Sequence, residues 1–151
     1  MTDRTKSLVH PPHPSAAIAA LWLAFFLLAL AIPCWLLARH GVESDVFTSG
    51  MEEISGIYAP HIGAILAFYL ASRSIRRRKP ATSRLAFVLA VLVSIAWNLI
   101  AVGILSQVLW GSTGLEDASK LAGDISRKLS WVVAPVIGYF FASEAKAASK
   151  P

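Results

Sequence analysis

The 151-residue chain has one cysteine, nine acidic residues and only 15% charged residues in all. The single thiol, Cys34, excludes an internal disulfide and any C-x-x-C redox pair, and with them the disulfide-generating and quinone-linked thiol enzymes of membranes. No His pair, Glu-x-x-His or cysteine cluster offers a metal or haem site, so no cofactor is expected. No acid falls within the long apolar runs. That argues against proton-coupled transport, which usually depends on intramembrane carboxylates. The serines have no base and acid near them in sequence, and an enzyme is not inferred. The intramembrane glutamate of small multidrug transporters and the cysteine-bearing outer loop of tetraspan junction proteins are both missing.

What fills the chain instead is apolar residues, 56% of the total. A water-soluble fold of this size would expose large apolar patches, so lipid is the expected solvent. Hydrocarbon about 30 Å thick takes roughly 20 residues per helical crossing. Four stretches answer to that length: 16–38, which carries no charge, 54–72, 85–110 and 129–143. The expected fold is an all-α membrane protein of one domain, with tails at 1–15 and 144–151. The fourth stretch is short, reaching about 21 Å at 1.5 Å per residue over Leu129–Ala142. Ahead of it Leu115, Ala118, Leu121, Ala122, Ile125 and Leu129 recur at helical spacing, with a capping box at Thr113 and Glu116. One long helix from about Leu115 is predicted, amphipathic first and intramembrane afterwards.

Lys and Arg decide orientation, since cytoplasmic loops carry an excess of them. The net charge is +5, but the basic residues follow topology instead of forming a soluble surface, so nucleic acid is not an expected partner. The second connection holds Arg73, Arg76, Arg77, Arg78, Lys79 and Arg84 without an acid. The first sets Arg39 against Glu43, Asp45, Glu52 and Glu53. Both termini are therefore expected in the cytoplasm, with the protein in the plasma (inner) membrane. Arg76–Lys79 is an orientation signal first and a site for anionic lipid or a partner second. The apolar run after Arg4 and Lys6 outlasts a signal-peptide h-region, so a retained signal-anchor is expected. Pro33 stands before Cys34 where lipidation wants a small residue, and Cys34 is assigned to packing.

An apparent repeat joins the second and fourth stretches. Thr48–Glu53 (TSGMEE) resembles Ser112–Asp117 (STGLED), and Ala59-Pro60-His61-Ile62-Gly63 resembles Ala134-Pro135-Val136-Ile137-Gly138. Duplication with an insertion and a deletion, and chance similarity between Ala-rich segments, both account for it. Duplication implies two parallel helical hairpins related by an axis along the membrane normal. On either account small residues share a face at four-residue spacing: Ala59, Gly63, Ala67 and Ala71 on one helix, Ala134, Gly138 and Ala142 on the other. In lipid, helix association relies on such close approach. Pro60 and Pro135 each remove an amide donor and are expected to bend their helices, for packing or for gating.

Few polar groups enter the apolar stretches. His61, with Tyr58 one turn away, reads either as a protonatable gate or as a neutral imidazole bonded to a neighbouring helix or to water. Ser94 and Asn98, four apart, can bond across to His61 or to another subunit. Trp22, Trp35, Trp110, Trp131, Tyr58 and Tyr139 are expected at headgroup level, and Trp97, near mid-span, between helices or against lipid. The expected function is an oligomeric membrane subunit or scaffold, self-associating through the small faces or joining a membrane complex. The alternative is a homo-oligomeric ion channel gated near His61, with a membrane enzyme third.

Overall fold

A computed structural model describes residues 14–74 and 84–149. Within them lie four α-helices and no strand: α1 Pro14–His40, α2 Ser44–Ser74, α3 Arg84–Ser106 and α4 Leu115–Ser149, with a 3-10 turn, Gln107–Trp110, extending α3. The basic cluster Arg76–Lys79 lies outside the described residues.

The C-terminal ends of α1 and α3 close alike. Gly41 takes φ +61° and donates its N–H to the Leu37 carbonyl at 3.2 Å. Gly111 takes φ +69°, and the Ser112 hydroxyl donates to the Gln107 carbonyl at 2.8 Å. A side chain at either glycine would be strained in this left-handed region, which is why the helices stop there. Each next helix opens on acids that suit its positive end, Asp45 in α2 and Glu116 with Asp117 in α4.

Helix packing follows the ring α1–α2–α4–α3. Gly50 meets Leu115, His61 meets Ser130 and Phe68 stacks on Phe141, so α2 and α4 run in the same direction. Trp22 reaches Ser94, while Trp35 lies beside Leu109 and Trp110, so α1 and α3 also run together. The chain is thus two helical hairpins set side by side. Like helices are neighbours in this ring, α1 beside α3 and α2 beside α4. The repeat is uneven in structure. Thr48–Glu53 lies inside α2, while Ser112–Gly114 forms the turn before α4.

Two of the described helical stretches, Pro14–His40 and Arg84–Trp110, are long and apolar enough to cross a membrane, and most of each apolar window stays on the bundle surface. The fourth helix begins at Leu115, as its spacing predicts, but continues past residue 143 to Ser149. Its capping box is not formed, because Gly114 and not Thr113 stands at the N-cap, its carbonyl accepting from the Ala118 N–H at 3.0 Å, while Glu116 pairs with Lys120. The first connection is much shorter than expected: α2 already starts at Ser44, leaving residues 41–43 as the link. Pro33, Pro60 and Pro135 all lie inside continuous helices. Cys34 is exposed and does not serve core packing.

The close approach between α2 and α4 falls outside the faces the sequence suggested. A Cβ at Gly50 would lie 3.0 Å from the Leu115 side chain, and one at Gly123 would lie 3.2 Å from Glu53 Oε2. Ala118, Ser119, Ala122 and Ser126 are buried along the same part of α4. By contrast Ala59, Gly63, Ala67, Ala134 and Ala142 are exposed and Gly138 half-buried. A Cβ at Gly63 or Gly138 meets no atom of the described residues within 4 Å. Among the described residues these small positions therefore make little contact within the chain, Ala134 and Gly138 lining an open groove between α2 and α4. The Ala71 side chain lies outside the described residues.

Candidate functional site

All four helices send polar or aromatic side chains to one level of the bundle. α1 supplies Trp22, wholly buried, whose indole Nε1–H donates to Ser94 Oγ on α3 at 3.0 Å. Its ring centroid lies 4.8 Å from that of Trp97 and 4.9 Å from that of His61. Trp97 also meets His61 edge-on at 5.0 Å and Tyr58 at 5.4 Å, and Phe26 packs on Tyr58 at 5.4 Å. Near-perpendicular and tilted pairs of this kind are the favoured arrangements for aromatic rings.

Serines on α4 secure the other side. His61 Nε2 and Ser130 Oγ lie 3.1 Å apart, with the roles of donor and acceptor set by the imidazole tautomer. Ser130 Oγ in turn donates to the Ser126 carbonyl at 2.8 Å, and Trp97 Nε1–H reaches that same carbonyl at 3.4 Å. An sp2 oxygen has lone pairs enough for more than one donor. Asn98 donates from Nδ2 to the Ser94 carbonyl at 2.8 Å, one turn back along its own helix. Its Oδ1 and the Tyr58 hydroxyl are buried without a hydrogen-bond partner among the described residues.

The structure thus gathers the four polar residues singled out in the sequence, Tyr58, His61, Ser94 and Asn98, around the Trp22–Trp97 pair. It pairs them differently. Ser94 serves Trp22 instead of His61, Asn98 serves Ser94, and His61 turns to Ser130. Trp22 and Tyr58 are core residues, not headgroup anchors, while Trp97 packs between helices. Trp110 and Trp131, 84% and 75% exposed, remain free for an anchoring role, as do Trp35 and Tyr139. Sequence reasoning missed Phe26, Ser126 and Ser130. Ser126 and Ser130 stand four apart, as Ser94 and Asn98 do, and that spacing was the available signal.

His61 is half-buried, and its other side lines a groove of about 210 Å³ between α2 and α4, with Pro60, Ala64, Ile65, Ala134 and Gly138. Beyond the aromatic level, the N-terminal part of α4 carries two exposed ion pairs, Lys120–Glu116 at 2.6 Å and Arg127–Asp124 at 2.7 Å. The bonded Lys120 holds the Glu116 carboxyl below its ordinary range, and Arg127 does the same for Asp124. No group of three or more His, Cys, Asp or Glu side chains gathers to hold a metal among the described residues. Chemically, the centre is uncharged and closely packed, suited to fixing the relative heights of four helices. No family model, curated protein or solved structure matches this chain.

Proposed function

We propose that the chain is an integral membrane subunit that crosses the bilayer four times and acts as an oligomeric scaffold, presenting faces to other subunits while its own centre stays closed. One observation carries this reading: Trp22, Tyr58, His61 and Trp97 pack against one another at the level where an axial path would run. Large apolar side chains exposed on every helix, such as Leu27, Leu70, Leu92 and Trp131, support immersion in lipid. The uncovered small faces around Gly63 and Gly138 support self-association there. The basic second connection supports cytoplasmic termini.

A pore is the second reading, favoured by the placement of His61 in the α2–α4 groove beside Gly138. Copies meeting at the small faces would line their seam with imidazoles. The two readings separate in planar bilayers. A purified, stable oligomer that passes no current supports the scaffold. Currents whose response between about pH 5 and 8 disappears in His61→Ala would overturn it in favour of the gated pore.

A further inference from the structure

At the outward end of α1 and α3 a groove of about 390 Å³ is lined by Leu28, Ala31, Ile32, Trp35, Leu109 and Trp110. Its size is in the range of small-ligand sites, and its walls are apolar. The Trp35 ring also meets two basic side chains. Arg39 holds its guanidinium 5.9 Å from the centroid of the Trp35 ring, and His40 meets the same ring edge-on at 5.6 Å. Both residues are exposed. The described ion pairs of this end, Lys120–Glu116 and Arg127–Asp124, do not include Arg39.

An apolar trough one of whose walls, Trp35, also carries an exposed cation has the two-part chemistry of one molecule class. We propose that this groove binds a single anionic phospholipid of the outward leaflet, an acyl chain lying along Leu28, Ile32 and Leu109 and the phosphate paired with Arg39. The planar guanidinium offers two parallel N–H donors to phosphate oxygens, which a lysine at the same place does not. Trp35 and Trp110 bracket the boundary between chain and headgroup, the depth at which indole rings are at home. The mean field of this end does not do the work, because its loops and first turns are rich in acid: Glu43, Asp45, Glu116 and Asp117. Selection of an anionic headgroup there has to come from a local cation. The inference rests on the membrane-spanning reading.

Native mass spectrometry of the full-length protein, released from detergent and titrated with phosphatidylglycerol or phosphatidylcholine, tests it. The wild type should keep one phosphatidylglycerol in preference to phosphatidylcholine. Arg39→Gln should lower that preference about tenfold while leaving acyl-chain binding in place, because the choline ammonium already neutralises the phosphate of phosphatidylcholine, whereas that of phosphatidylglycerol depends on Arg39 for its counter-charge. Ala31→Trp, which fills the groove from an exposed position, should remove binding of both lipids. Equal retention of the two lipids by the wild type, or a preference unchanged in Arg39→Gln, overturns the proposal. So does a wild-type stoichiometry in Ala31→Trp. Carbonate extraction of the wild type keeps the two levels apart: protein released into the aqueous fraction defeats the membrane reading itself, whereas protein retained without lipid selectivity defeats only this site.

Discussion

Trp22 is the residue on which the centre depends most. It is wholly buried, packs on Trp97 and His61, and ties α1 to α3 through Ser94. Trp22→Phe removes ring area and leaves the Ser94 hydroxyl without that donor, at a cost of about 2 kcal/mol. Tyr58→Phe should behave in the opposite way. Its hydroxyl has no hydrogen-bond partner among the described residues, so losing it should change stability by less than about 1 kcal/mol. Thermal unfolding in detergent, read by near-ultraviolet circular dichroism, should show a clear fall in Tm for the first variant and little change for the second. A large fall for Tyr58→Phe would mean that the hydroxyl has a partner not seen here. These two residues also mark what the sequence hid. Both look like belt aromatics by distance from a span end, because hydropathy records depth along a helix but not the face on which a ring stands.

At the level of the helix, two sets of glycines separate packing within the chain from packing between chains. Gly123 faces the Glu53 carboxylate and Ile57 across the α2–α4 contact, and a leucine there must push both side chains aside. Gly123→Leu should therefore destabilise the protomer, by about 1–3 kcal/mol for an overpacked site. A Cβ at Gly63 or Gly138 meets nothing within 4 Å, so Gly63→Leu reaches exposed surface and Gly138→Leu extends into the open α2–α4 groove. They should leave Tm within a few degrees of wild type and shift the oligomer toward smaller species in detergent, as followed by light scattering. If these two variants keep the wild-type oligomer, the small faces look onto lipid and the scaffold needs another contact. Four helices and their order were legible from apolar runs, and the early start of α4 from its spacing. The early start of α2 was not. Residues 44–53 hold three acids and read as a loop, yet Gly50 and Ile54 are buried, with Leu115 against Gly50. Tertiary contact fixes those roughly three turns more than their local preference does.

For the whole molecule, the side-by-side hairpins explain how a chain with so few polar groups sets four helices in register. Each hairpin turns on a left-handed glycine, Gly41 or Gly111, and each contributes to the single aromatic level. The gathering of Tyr58, His61, Ser94 and Asn98 was legible in outline, since polar residues in apolar runs seek one another. The pairing was not, because it depends on helix rotation, which brings Ser130 to His61 and Trp22 to Ser94.

The proposed function stands or falls on whether all four helices, α2 and α4 as well as the more apolar α1 and α3, cross the bilayer. Single cysteines introduced in a Cys34→Ser background at Val42, Ser83, Thr113 and Ala148, probed with an impermeant maleimide in intact cells, decide it. Four crossings with cytoplasmic termini predict labelling at Val42 and Thr113, and at Ser83 and Ala148 only after the membrane is opened. If α1 and α3 alone cross, Ser83 stays on the outward side and Thr113 falls inside. Labelling of Ser83 but not Thr113 in intact cells would therefore contradict the four-span bundle.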